Sequence, residues 1–152
     1  MEKINFKIDL DIITHDKVKE HPFVNISING YPQFGEILSK STVVEIDTEI
    51  EDDTENFLSI EYTNKDPLTD VVLGPDNSII ADKRIEIKNI TINDIDLDFF
   101  AFEDTDIFTY DIYDPASPQD TVNNFDATKL SWNGRTTLKF TTPIYIWILE
   151  NL

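Results

Sequence analysis

From Ile4 to Asp11 the chain alternates, with Ile4, Phe6, Ile8 and Leu10 on one parity and Asn5, Lys7, Asp9 and Asp11 on the other. A period of two belongs to a strand with one face buried and one face wet. Phe23 to Asn29 repeats the pattern, with Phe23 out of phase beside Pro22, and Asn29-Gly30 then reads as a turn. Val43 to Ile50 aligns Val44, Ile46, Thr48 and Ile50, and Phe57 to Asn64 aligns Leu58, Ile60 and Tyr62. Each is expected to be a strand.

Asn64 to Asp82 reads as a long loop, with Pro67, Gly74, Pro75, Asp76 and Asn77 as turn formers. In the stretch IIADKRIEIKNITINDIDL (79–97), Ile85 and Ile87 share one parity, Ile90 and Ile92 the other, and Ile95 and Leu97 return to the first. A slip of one residue would turn the core face outward unless the backbone compensates. A bulge is therefore expected near Lys88-Asn89 and a tight turn near Asn93-Asp94. Residues 99–130 form a second irregular region with Pro115 and Pro118, in which Phe99, Phe100, Phe102, Ile107, Phe108 and Tyr110 are the packing candidates. Alternation resumes over Thr136 to Phe140 and Ile144 to Leu149, separated by Pro143, so both read as strands. About eight strands and no helix predict an all-β chain: an antiparallel β-sandwich or jelly roll, in a single domain over 1–152.

Hydrophobic residues make up 40% of the chain, enough for a packed core. With no cysteine, disulfides, thiolate nucleophiles and sulfur-ligated zinc are excluded. No apolar run reaches the roughly 18 residues of a membrane span, and MEKINFKIDL lacks the apolar core of a secretory leader. Thirty Asp+Glu against twelve Lys+Arg give a net charge of −18, which argues against a nucleic-acid partner. The plain reading of that surplus is solubility. Calcium binding, a saline habitat or docking on a basic surface are sharper ones.

Nucleophilic catalysis finds no nucleophile elbow and no phosphate-cradling glycine loop. His15 and His21 are the only histidines, and the ordinary reading for both is a surface role. Carboxylates are so abundant that a catalytic pair would carry no distinctive signal. The acidic clusters are Glu49 to Glu55, Asp66 with Asp70, Asp94-Asp96-Asp98, and Glu103-Asp104-Asp106. With hard oxygen donors and no sulfur, Ca²⁺ is the metal such clusters would take, although none has EF-hand spacing. Asp94, Asp96 and Asp98 are expected to be solvated. Among the aromatics, Tyr62, Tyr110, Tyr113, Trp132 and Trp147 could stack on sugars or fill the core. Trp132, beside Asn133-Gly134, is the best candidate for exposure, and Tyr62 is the second ligand-binding candidate.

The segment from Glu61-Tyr62-Thr63-Asn64-Lys65 through Asp82-Lys83-Arg84-Ile85-Glu86-Ile87 to Ile90-Thr91-Ile92-Asn93 resembles the calcium-dependent, xylan-binding carbohydrate-binding modules, which are jelly rolls. The resemblance implies that Asp82 matches the motif aspartate and that Asn64 or Asp66 is the earlier loop ligand. With the neighbouring Asp70, the candidate metal set is Asn64, Asp66, Asp70 and Asp82. Two departures stand out: Lys83 intervenes before Arg84, and Asp94 occupies the turn-glycine position.

The ending, Trp132 to Phe140 and Pro143 to Leu152, together with the Asn64-Lys65 loop and Asp82, is similar to small virion-associated sandwich proteins of large marine tailed phages. That resemblance implies a non-catalytic decoration, neck or tail component, made in a host cytoplasm and located on the virion. It would dock onto other virion proteins or onto copies of itself as an oligomer. The alternative is a calcium-dependent module that binds a polysaccharide, with a glycan as partner. Neither reading is an enzyme, and neither involves a membrane.

Overall fold

The computed structural model describes residues 1–97, 106–113 and 126–151. The expectations placed on Asp98, Phe99, Phe100, Phe102, Glu103, Asp104, Pro115 and Pro118 lie outside the described residues. Within them the chain runs through β1 (Glu2–Ile13), β2 (Phe23–Ile28), β3 (Tyr31–Ile37), β4 (Thr42–Ile50), β5 (Glu55–Tyr62), β6 (Val72–Leu73) and β7 (Ile79–Ala81). It continues through β8 (Arg84–Ile92), β9 (Ile95–Asp96), β10 (Phe108–Ile112), β11 (Lys129–Leu130), β12 (Gly134–Thr141) and one helix, α1 (Ile144–Glu150).

Two antiparallel sheets face each other. The first has the order β11-β8-β1-β4, with β9 also paired to β8; the second has the order β10-β12-β5-β2-β3. The small β6–β7 hairpin stands apart from both. The all-β antiparallel sandwich expected from the alternation is the observed fold.

The parity switch in β8 is a bulge. Asp9 of β1 pairs with Asn89 and Leu10 pairs with Ile87, so Lys88 is the extra residue. The extra residue returns Ile85, Ile87, Ile90 and Ile92 to one buried face. Asn93 and Asp94 follow with φ of 50° and 64°, the left-handed pair of a tight hairpin turn. Asn29 and Gly30, at 52° and 82°, make the same kind of turn between β2 and β3. The partner strand β3 was not visible in the sequence pattern. It is an edge strand with most residues exposed, and its Pro32 and Gly35 break the alternation.

The inward faces meet in a single apolar cluster. Phe6 of β1 and Phe140 of β12 join the two sheets edge to face at 5.6 Å, and Trp147 continues the stack at 6.2 Å from Phe140. Trp147 corrects the reading of Ile144 to Leu149 as a strand. The segment is helical and buries Ile144, Trp147 and Ile148, spaced three and four apart, while Ile146 is 52% exposed. Its β-branched and aromatic residues favour a strand locally, but tertiary packing of an i, i+3, i+4 stripe prevails. The Glu2 carboxylate accepts the first helical N–H, that of Ile144, at 3.0 Å. An anion is favourable at that end of a helix.

Helix and strand make opposite predictions at neighbouring positions. Trp147→Ala should destabilise by about 3–5 kcal/mol as a large-to-small core change. Ile146→Ser should stay within about 0.5 kcal/mol as a surface change. Urea unfolding measures both, and the reverse ranking would restore the strand.

Candidate functional site

At one end of the sandwich the chain leaves β5, runs through the 64–82 loop and enters β8. Asn64 fastens the exit: its Oδ1 accepts the Phe23 N–H at 2.9 Å and its Nδ2 donates to the His21 carbonyl at 2.9 Å. The Asn133 side chain fastens Lys65. Its Oδ1 accepts the Lys65 N–H at 2.8 Å and its Nδ2 donates to the Lys65 carbonyl at 2.9 Å, as a neighbouring strand would. The next residue has to be glycine, because a Cβ at Gly134 would collide with the Asp111 carbonyl and the Tyr110 ring. Trp132 donates its N–H to the Tyr110 hydroxyl at 3.1 Å, and that hydroxyl donates to the Trp132 carbonyl at 2.7 Å.

Between these anchors lies a network of buried charge. The Lys65 ammonium donates to Asp82 Oδ1 at 2.7 Å and to the Ser131 carbonyl, and it sits 5.9 Å from the centre of the Trp132 ring. Asp82 Oδ1 also accepts the Lys83 N–H at 2.7 Å, while Arg84 approaches Oδ2 at 3.7 Å. The Lys83 ammonium donates to the Asn64 carbonyl at 2.7 Å and pairs with Asp70 Oδ2 at 3.3 Å. Asp70 Oδ2 accepts the Asp66 N–H at 2.6 Å, and the Asp70 carbonyl accepts a hydrogen bond from His15 Nε2 at 2.6 Å. Lys83 is 1% exposed and Asp70 2%. Ions so deeply buried persist only when paired and hydrogen-bonded.

The residues nominated from sequence therefore converge. Asn64, Asp66, Asp70 and Asp82, with Tyr62 and Trp132, belong to one bonded junction, but with roles other than those expected. Tyr62 is fully buried, its hydroxyl donating to the Lys83 carbonyl at 3.1 Å, so it presents no ring face to a sugar. Trp132 is half-buried and keeps part of its surface. The oxygen donors proposed for Ca²⁺ face ammoniums. Asp82 and Asp70 hold Lys65 and Lys83, the Asn64 carbonyl holds Lys83, and Asp66 Oδ1 accepts the Leu68 N–H at 3.0 Å. Calcium requires six to eight oxygens around one point, and the donor set as folded does not fit that demand. No group of three or more His, Asp or Glu side chains arranged for a metal exists among the described residues. Elsewhere Asp94, though exposed, pairs with Lys7 at 3.0 Å, and Asp96 accepts from Asn89 at 2.8 Å.

Lys65, Lys83 and Asn133 were missed from sequence. For Lys83 a signal existed: it shares the parity of the buried Ile85 and Ile87, so the strand pattern points it inward.

A second surface is the outer face of the second sheet. The pairing register sets Thr109, Thr137, Ser59 and Ser27 in one row across β10, β12, β5 and β2, and ends it at Pro32 of β3. The Ser59 and Thr137 hydroxyls are 3.5 Å apart. A row of Asp111, Arg135, Glu61 and Asn25 lies on one side. There Glu61 accepts the Tyr113 hydroxyl at 2.6 Å and Asn25 Nδ2 at 3.4 Å. On the other side Phe57, 40% exposed, stands opposite Lys139. The row thus sets short hydroxyl side chains between longer neighbours across the strands, with Ser59 at its middle 9% exposed.

No family model and no curated protein matches the chain. Among solved structures it is similar to vCBM60, described in work on a circular permutation linking two families of calcium-dependent carbohydrate-binding modules. The TM-score is 0.51 at 10% identity, over 89% of each chain. At that identity the likeness is one of fold.

The tyrosines supply a pH test. Burial pushes Tyr62 well above its ordinary value and Tyr110 up to about 12, and burial with the Glu61 bond pushes Tyr113 up to about 12. The folded state thus favours the neutral phenol. The resulting stability is complete below the unfolded pKa of about 10 and is lost as pH rises toward about 12 and beyond. Tyrosinate absorbance followed with circular dichroism should show Tyr62 and Tyr110 ionising only as the fold is lost. All tyrosines titrating near pH 10 in an intact fold would contradict the burial.

Proposed function

We propose that the protein is a non-catalytic, glycan-binding β-sandwich, and that a neutral polysaccharide chain lies along the hydroxyl row on the outer face of its second sheet. The hydroxyl row Thr109–Thr137–Ser59–Ser27 carries this reading. A sugar chain presents hydroxyls that donate and accept along its edges, together with apolar C–H faces. Ser and Thr hydroxyls also do both, on short side chains that leave room above the sheet. Phe57 supplies an apolar ring beside the row, and Glu61 and Asn25 supply further polar partners. The net charge of −18 disfavours an anionic polymer. The likeness to a carbohydrate-binding module supports the same reading through the fold alone.

The virion reading has no comparable support. The ending that suggested it is taken up by the Trp132 junction, by β12 and by the helix that covers Phe140. The compared structure is a carbohydrate-binding module.

Affinity electrophoresis through gels containing neutral or anionic polysaccharides tests the proposal. Retardation by a neutral glycan is expected, reduced about tenfold or more in affinity by Phe57→Ala and by Ser27→Leu, and unchanged by Ile146→Ser on the opposite side of α1 from the core. No retardation in any neutral gel, or retardation indifferent to both outer-face variants, would reject it.

A further inference from the structure

We infer that the ammonium groups of Lys65 and Lys83 are the resident cations of the loop–sheet junction, so that the 64–82 loop and the turn carrying Trp132 are set without a divalent metal. The inference does not depend on the outer face of the second sheet.

The geometry is specific. Asp82 meets Lys65 at 2.7 Å and Asp70 meets Lys83 at 3.3 Å, with the interior closed around both pairs. Each ammonium has a further oxygen, from the Ser131 carbonyl for Lys65 and the Asn64 carbonyl for Lys83. Two positive charges face two negative ones, and Arg84 continues the alternation to Glu86 at 3.2 Å. A divalent ion gathers loop oxygens from segments distant in sequence. The two lysines do the same: Lys65 links to residues 82 and 131, and Lys83 to residues 64 and 70. Any calcium ion entering here would first have to expel both ammoniums from these oxygens. In a chain with eighteen more acids than bases, two of its few cations are committed to this point.

Thermal melts of the whole protein in EDTA and in millimolar Ca²⁺ are the test, with Lys65→Met, Lys83→Met and Asp82→Asn alongside. The wild-type midpoint should be the same in both media. Lys83→Met, which leaves the buried Asp70 carboxylate without its cation, should raise the unfolding equilibrium constant about a hundredfold or more, and Lys65→Met, after which Arg84 still faces Asp82, should raise it by less. A saturable calcium-dependent rise in the wild type that is lost in Asp82→Asn would overturn the inference, as would lysine variants that melt like the wild type. A rise equally large in Asp82→Asn reports surface screening and leaves the inference standing. Should a lysine variant fail to fold, hydrogen exchange on the wild type decides: the Lys65 amide is expected to be protected in EDTA. Protection that appears only on adding Ca²⁺ would overturn the inference.

Discussion

The junction depends on one costly act, placing the Lys83 ammonium inside the protein. At 1% exposure it has given up its water, and among the described residues the Asn64 carbonyl and the Asp70 carboxylate replace it. From that requirement the surroundings follow. Asp70 must be held, and the Asp66 amide of the same loop and His15 from the β1–β2 connection hold it. Asn64 must aim its carbonyl inward, and its side chain is fixed to the start of β2. Tyr62 closes the space with its hydroxyl on the Lys83 carbonyl. A well-packed apolar side chain could be as stable as such an ion pair. What the charges add is direction: carboxylates and carbonyls must arrive at set points, and the loop is shaped by having to supply them.

The framework beneath was legible because its rule is simple. Alternation gave the inward faces of β1, β4 and β5, and the parity switch from Ile87 to Ile90 gave a bulge that the register places at Lys88. The ending misled because Ile144, Ile146 and Ile148 alternate as a strand would, while the contact that settles the matter, Trp147 on Phe140, is not local. Nor is the helix start legible, since the carboxylate that meets it belongs to Glu2. Strand β3 stayed hidden because an exposed edge strand needs no apolar parity.

At the junction, the residues nominated from sequence come together, and their oxygens meet ammonium groups. Asn64, Asp66, Asp70 and Asp82 drew attention as oxygen donors, and they do gather round cations. The cations are side chains of the same protein, and composition gives no sign of that. Lys83 could have been read from parity, but a lysine is ordinarily assigned to solvent. Lys65 and Asn133 follow no periodic rule. Their link runs from residue 65 to residue 133 through one amide side chain.

The position of β1 in the first sheet has a consequence for biosynthesis. Strand β1 lies between β4 and β8, and Glu2 meets Ile144, which is distant from it in sequence. One neighbour of this strand, β4, follows closely in sequence, whereas β8 and the helix are translated much later. A nascent chain made only as far as β11 has neither β12 to complete the second sheet nor Trp147 to cover Phe140. Its apolar strand faces must wait exposed. The two sheets can therefore close only once β12 and the helix have been made, and the many acidic side chains on the outer faces help keep the waiting chain dispersed.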